Sequence, residues 1–237
     1  MKKHVPNCIT LLNLLCGCIA VIFAVKNQLQ WAGLFVALGI FFDFFDGFFA
    51  RLLHVKSDLG LQLDSLADMV TSGLTPGIVM FQLLSYSHFV EENTSLTTTL
   101  LPYFGLIITL ASAYRLANFN IDSRQTTGFI GLPTPANALF ILSLPLILLY
   151  QNSTFFQYLL NNTWVLLGIC VLSAYLLNAN IRLFSLKFSD YSFRNNKITY
   201  LFLIFCVLSV FFLKFIALAL IILVYVLLSL FTQKSKK

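Results

Sequence analysis

Apolar runs close to 20 residues long, separated by short polar clusters, make up most of this chain. A bilayer core of about 30 Å takes about 20 apolar residues as a helix, with a range near 17–25. The polar breaks divide the sequence at approximately 8–25, 31–53, 61–86, 96–118, 134–151, 157–177, 198–213 and 215–232. This pattern predicts an all-α fold, a polytopic membrane helix bundle with about eight transmembrane helices. The last division rests on Lys214 alone, so one long bent segment is the alternative there. With no internal repeat, linker or soluble segment in view, residues 1–237 read as a single membrane-embedded domain. Met1-Lys2-Lys3-His4 runs straight into the first apolar stretch without an A-x-A-like cleavage site, which predicts a retained helix rather than a signal peptide.

Composition excludes the other broad classes. Hydrophobic residues make up 59% and charged residues 10%, against roughly 45–50% and 25% in a soluble domain. Disorder, a disulfide scaffold and a nucleic-acid partner are all excluded by that balance. The five cysteines, Cys8, Cys16, Cys18, Cys170 and Cys206, lie in or beside apolar runs, an odd count without metal-ligand spacing, and are expected to be reduced. Net charge is +6, and its placement orients the chain. With the N-terminus cytoplasmic, thirteen lysines and arginines fall on the cytoplasmic side and only Lys26 and Lys214 on the other. The asymmetry predicts that both termini are cytoplasmic. Segment 178–197 mixes Arg182, Lys187 and Arg194 with Phe184, Phe188, Tyr191 and Phe193. It reads either as an interfacial stretch against anionic headgroups or as an ordinary positive-inside loop.

Four of the nine acidic residues, Asp43, Asp46, Asp64 and Asp68, fall inside the second and third spans. A carboxylate at a helix centre costs about 2.5–3.5 kcal/mol on insertion scales, so four together need compensation. Asp43, Asp46, Gly47, Ala50 and Arg51 recur at intervals of three and four and share one helix face. Asp64 and Asp68 stand one above the other on the next helix. The short His54–Gly60 connection makes the two helices antiparallel neighbours. At 1.5 Å per residue all four carboxylates then lie within roughly 15 Å of the cytoplasmic end. Four carboxylates against one arginine leave excess negative charge, which a pair of hard cations, Mg²⁺ or Mn²⁺, would balance in a manner suited to phosphate chemistry. Gly47 would let a bulky phosphate approach the helix, and Arg51 would clamp phosphate with its planar fork. A helix hairpin stabilised by buried polar pairs, and an ion-coupled transporter, are the competing readings. The confinement of the acids to one hairpin, with none in spans five to eight, speaks against the transporter.

Asp43-Phe-Phe-Asp46-Gly47-Phe-Phe-Ala50-Arg51, followed by Gly60, Asp64 and Asp68 at fixed intervals, resembles the signature of the CDP-alcohol phosphotransferase family at all eight defining positions. That resemblance implies two divalent cations, bridged by Asp43 and Asp64, with Asp46 on the first and Asp68 on the second. It further implies that Asp68 is the catalytic general base. Gly47, Arg51, Ser57, Asn7, Thr10, Ala50 and Gly60 would contact the donor, CDP-diacylglycerol. Flanking stretches resemble the family's serine-using integral-membrane branch. They are Pro6-Asn7-Cys8-Ile9-Thr10 with Leu11-Leu12-Asn13, Leu63-Asp64-Ser65-Leu66-Ala67-Asp68, Gly73 with Pro76, Arg115-Leu116-Ala117-Asn118-Phe119-Asn120, and Gly131-Leu132-Pro133-Thr134-Pro135-Ala136-Asn137. The resemblance covers nearly the whole chain. It implies transfer of a phosphatidyl group to L-serine with release of CMP, a homodimer, and a site facing the cytoplasm in the plasma membrane.

Each flanking stretch also has a plainer reading. Pro6-Asn7 can start a helix in which Thr10 and Asn13 bond locally, and Arg115 and Asn118 can be interfacial anchors. The choice of acceptor rests on a count of cations. A phosphorylated polyol needs cations beyond those that hold the donor. With Arg51 assigned to the donor, Arg115 is the obvious remaining one, beside Asn118 and Asn120, and one arginine suits one carboxylate. Arg115 and Asn118 are therefore the candidate acceptor-binding residues. Arg182 or Lys187 folding inward would reopen glycerol 3-phosphate or inositol phosphate as acceptor.

Overall fold

The structure is a computed structural model that describes residues 4–55, 57–93, 95–121, 130–183 and 196–234. Among them are α1 (Val5–Val25), α2 (Leu29–Leu52), α3 (Asp58–Asp68), α4 (Thr75–Ser85), α5 (His88–Glu92), α6 (Leu96–Leu100), α7 (Ile107–Ile121), α8 (Thr134–Tyr150), α9 (Thr154–Leu160), α10 (Thr163–Asn178), α11 (Lys197–Leu213) and α12 (Phe215–Lys234). A π-helical turn, Met69–Leu74, joins α3 to α4, and a 3₁₀ segment, Leu101–Leu106, joins α6 to α7. No strand is present among the described residues; Ile130 and Arg182 make an isolated bridge. The predicted all-α class is the observed one.

Three stretches, Val5–Val25, Leu29–Leu52 and Leu96–Ile121, are each long and apolar enough to cross a membrane, and α9 with α10 would make a fourth, bent by 69°. Shorter apolar helices occupy the fifth, seventh and eighth predicted segments. The bend inside the sixth segment was not expected. Asn162 causes it, accepting hydrogen bonds from the Trp164 and Val165 amides and so starting a new helix. Lys214 is a true break: its φ is +50°, and α11 and α12 fold back on each other, bringing the Phe202 and Tyr225 rings to 5.7 Å. The 178–197 stretch, and with it Lys187 and Arg194, lies largely outside the described residues, as do Lys2, Lys3, Lys56, Arg124, Lys236 and Lys237. All five cysteines are free, as expected.

α1 begins with Pro6 in its first turn, where a missing N–H costs nothing. Its buried residues, Pro6, Thr10, Asn13, Cys16, Gly17, Ala20 and Ala24, recur at three and four, forming one face of small side chains. That face meets the third span side by side in parallel: Asn13 bonds Asp68, Thr71 bonds the Asn13 carbonyl, and Gln82 bonds the Ala24 carbonyl. At the close crossing, a Cβ on Gly17 would sit within 3.0 Å of the Thr71 backbone. α7 runs antiparallel to the same span, with Asn120 on Ser65 and Thr109 on the Gly73 carbonyl. The apolar core, including Ala24, Val36, Met80, Leu84, Ile108, Ile141 and Leu166, is fully buried toward one end of the bundle. The aspartates occupy the other end. Phe44, Phe48, Leu110, Val207 and Phe211 are exposed on the outside, as lipid contact requires.

Candidate active site

Two helices deliver the carboxylates and a third holds them. α2 runs from Leu29 to Leu52 and presents Asp43 and Asp46 one turn apart; α3 starts at Asp58, capped by the Ser57 hydroxyl, and presents Asp64 and Asp68. Oxygens of Asp43, Asp64 and Asp68 lie within 4.8 Å of one another, all three side chains half-buried. One Asp64 oxygen, Oδ1, is buried without a hydrogen-bond partner. Three converging carboxylates, one with an unpartnered buried oxygen, offer oxygen donors of the kind a hard divalent cation takes. Among the described residues no side chain bonds that oxygen.

Asp46 stands apart from the trio. It is buried, and the Thr10 hydroxyl donates to its Oδ2 at 2.5 Å. Asn13, also fully buried, donates from Nδ2 to Asp68 Oδ1 at 3.3 Å. Thr10 and Asn13 therefore reach across to the two carboxylate-bearing helices, and their side chains are not engaged in purely local capping. Thr10 keeps a contact with the Pro6 carbonyl as well. The available signal was their spacing: two polar residues three apart within an apolar helix, on its small-residue face.

The remaining sequence-predicted residues fall into two groups. Asn7, Ser57 and Gly60 come together: Ser57 accepts from the Gly60 amide at 3.0 Å, and a Cβ on Gly60 would lie 3.3 Å from Asn7 Oδ1. Gly47 faces open space, with nothing among the described residues within 4 Å of a Cβ built there. Ala50 is half-buried and Arg51 exposed one turn further on, without an ion-pair partner among the described residues. Arg115 lies elsewhere, 7% exposed. It makes no ion pair among the described residues, and its Nη2 donates to the Gly131 carbonyl at 3.2 Å. Asn118 is half-buried and is not brought to the carboxylates by any bond among the described residues. Its neighbour Asn120 bonds Ser65, between Asp64 and Asp68.

Gly131 is the hinge of that region. Its φ of +74° is left-handed, and a Cβ would come within 2.5 Å of the Leu177 carbonyl oxygen, so only glycine fits. Backbone bonds from Gly131 to Ile181 and from Leu132 to Leu176 fasten the start of α8 to the end of α10.

A model of the CDP-alcohol phosphatidyltransferase family matches residues 3–176, which take in all of these side chains. The chain belongs to that family. Relatives that carry the name CDP-diacylglycerol–serine O-phosphatidyltransferase include two from bacteria and one from an archaeon. The one from Bacillus subtilis (strain 168) is 34% identical over 137 residues, covering 56% of this chain and 70% of the relative. The one from Methanocaldococcus jannaschii is 34% identical over 137 residues, 58% of each chain. The one from Helicobacter pylori (strain J99) is 32% identical over 180 residues, covering 75% of this chain and 70% of the relative. The CDP-alcohol phosphatidyltransferase match stops within α10, so α11 and α12 fall outside it, a shorter reach than the near-whole-chain resemblance expected. Membership, with the apolar helices, makes this an integral membrane protein.

Proposed function

We propose that this enzyme transfers the phosphatidyl group of CDP-diacylglycerol to L-serine, forming phosphatidylserine and releasing CMP, with its site open to the cytoplasm. The observation that carries the reading is the convergence of Asp43, Asp64 and Asp68 within 4.8 Å, in a family member whose relatives are named for serine. Those three, with Asp46, would hold two divalent cations, Mg²⁺ or Mn²⁺, which when bound supply charge neutralisation for the phosphates and for departing CMP.

The chain's own residues do the rest. Open space at Gly47 and the exposed Arg51 guanidinium one turn away give the donor's phosphates a place to lie. Asn7, Ser57 and Gly60 form a polar rim beside them. As the serine oxygen bonds to phosphorus and the phosphorus–oxygen bond to CMP breaks, the serine hydroxyl proton passes to Asp68. Asn13 holds Oδ1 of that carboxylate, which leaves Oδ2 to receive it. Asp46 is fixed by the hydroxyl of Thr10.

Direct competition tests the acceptor. With CDP-diacylglycerol and equal L-serine, glycerol 3-phosphate and inositol phosphate, phosphatidylserine is the expected main product. A phosphatidylated polyol phosphate in its place refutes serine while leaving the family's chemistry intact.

The same reading places the protein in the plasma membrane as a homodimer, with both termini cytoplasmic. Single cysteines at positions 92 and 235, in a cysteine-free background, report the orientation. An impermeant thiol reagent added to intact cells is expected to label the first and spare the second; labelling at 235 overturns the topology.

A further inference from the structure

A groove of about 380 Å³ runs between α2, α8 and α12, at the end of the bundle away from the carboxylates. Its size falls within the roughly 300–1,000 Å³ of ligand clefts. Leu34, Leu142, Leu146 and Leu218 make its walls. Ser143 also lines it, but its hydroxyl proton goes to the Phe140 carbonyl at 2.6 Å, so the floor stays apolar in effect. Gly33 keeps the floor open: among the described residues a Cβ there would meet only Leu146 Cδ1, at 3.9 Å. On α8 the lining extends from Leu139 to Tyr150. That is roughly 16 Å of helix, about half of a hydrocarbon core of roughly 30 Å. A groove of this length belongs to one leaflet.

The mouth is polar and cationic where the walls are not. Gln30 and Trp31 at the start of α2, Tyr150 at the end of α8 and Phe215 at the start of α12 all line the groove. Tyr150 stacks on Phe215 at 5.0 Å. Tryptophan and tyrosine at that depth mark the boundary between hydrocarbon and headgroups. The Gln151 side-chain amide donates to the Leu213 carbonyl at 3.4 Å and ties the α11–α12 turn to this end of α8. Lys214, directly before Phe215, is exposed there and makes no ion pair among the described residues. Lys26, likewise exposed, stands in the turn before α2, four residues ahead of Gln30. These are the only two basic residues that the sequence sets on the side opposite the carboxylates, where positive charge is ordinarily sparse. Both occur in turns at the groove's end of the bundle.

We propose that this groove binds an anionic phospholipid of the leaflet opposite the carboxylates, with one acyl chain lying along α8 and the headgroup phosphate on Lys214. Lys26 adds to the positive potential at the same level. A zwitterionic lipid carries its own ammonium beside the phosphate and gains less from the two lysines. A second copy of this chain is the poorer occupant. A two-fold contact sets one patch against itself, which would bring lysine toward lysine with no carboxylate among the lining side chains. The site lies outside the transfer reaction and does not depend on which alcohol is the acceptor.

Trp31 reports on the groove directly, because the chain has one other tryptophan, Trp164, which Trp164→Phe removes. The full-length protein with that substitution is reconstituted in mixed vesicles of phosphatidylglycerol and phosphatidylcholine, with brominated acyl chains on one lipid or the other. Phosphatidylglycerol is expected to quench Trp31 at about fivefold lower mole fraction than phosphatidylcholine, the effect of one lysine at a membrane surface. The gap should narrow as salt rises. Lys214→Gln is expected to bring the two lipids level. Gly33→Leu changes no charge, yet by filling the floor it should abolish the same preference. Ala37→Phe fills the groove from the next turn of α2 and decides the matter if Gly33→Leu fails to assemble. Equal quenching by the two lipids before any groove substitution shows ordinary surrounding lipid only and overturns the site. A preference that survives Gly33→Leu and Ala37→Phe overturns it too, by placing the lipid elsewhere. So does a Trp31 that neither brominated lipid reaches until the protein is diluted, since a second copy then fills the groove.

Discussion

Asp43→Asn, Asp64→Asn and Asp68→Asn are each expected to lower phosphatidylserine formation by about 10²–10³-fold, with the protein still inserted at normal levels. The two halves of that result have separate causes. Each carboxylate is one wall of a site whose oxygens lie within 4.8 Å of one another, so neutralising one removes ligand charge from all that the cluster holds. An asparagine is also cheaper than an aspartate within a membrane helix, which protects insertion. Asp64→Asn replaces the one buried oxygen of the trio that has no partner, and should show no compensating bond. Chelation tests the same point from the other side: activity should vanish in excess chelator and return with Mg²⁺ or Mn²⁺. Full activity in the chelator would sink the two-cation reading.

Gly17→Val is expected to be nearly as damaging, although Gly17 touches no carboxylate. A Cβ there lies within 3.0 Å of the Thr71 backbone as well as overlapping its hydroxyl, and a backbone cannot rotate away. α1 must then move off the third span. Overpacking of this kind costs about 1–3 kcal/mol, occasionally more. The same movement pulls Asn13 from Asp68 and Thr10 from Asp46. A misplacement near 1 Å at a reacting group costs about 10²-fold. Turnover should fall by about that factor, with a lower Tm in detergent. Gly17→Ala should fall between the wild type and valine. Wild-type activity in Gly17→Val would show that α1 does not position the aspartates.

The carboxylates were legible in the sequence because a charge inside an apolar run is costly and its spacing is countable. Their supports were not. The spacing of Thr10 and Asn13 marks a shared face of α1, but nothing along one helix says which neighbour that face meets. The π-helical turn at Met69–Leu74 was equally hidden. Shifting hydrogen bonds by one residue leaves the apolar pattern of the span unchanged; Pro76, which has no N–H to give, was the only nearby mark. The bend at Asn162 could have been read, since Asn161-Asn162 interrupts the sixth apolar run, but a polar pair inside a span resembles a tolerated substitution until it is seen capping a helix. Arg115 was read as an acceptor-binding cation, with an interfacial anchor as the plainer alternative; its burial, at 7% exposed, speaks against the anchor. Its burial follows from Gly131, whose left-handed backbone brings a carbonyl to the guanidinium.

The order of these partners along the chain matters to a protein made from its N-terminus. Asp46 and Asp68 emerge from the ribosome after Thr10 and Asn13 but well before Arg115. Roughly 50 residues separate Asp68 from Arg115, a wait of a few seconds at about 5–20 residues per second. In sequence order the bonds from α1 to Asp46 and Asp68 are thus the first partners available to either carboxylate.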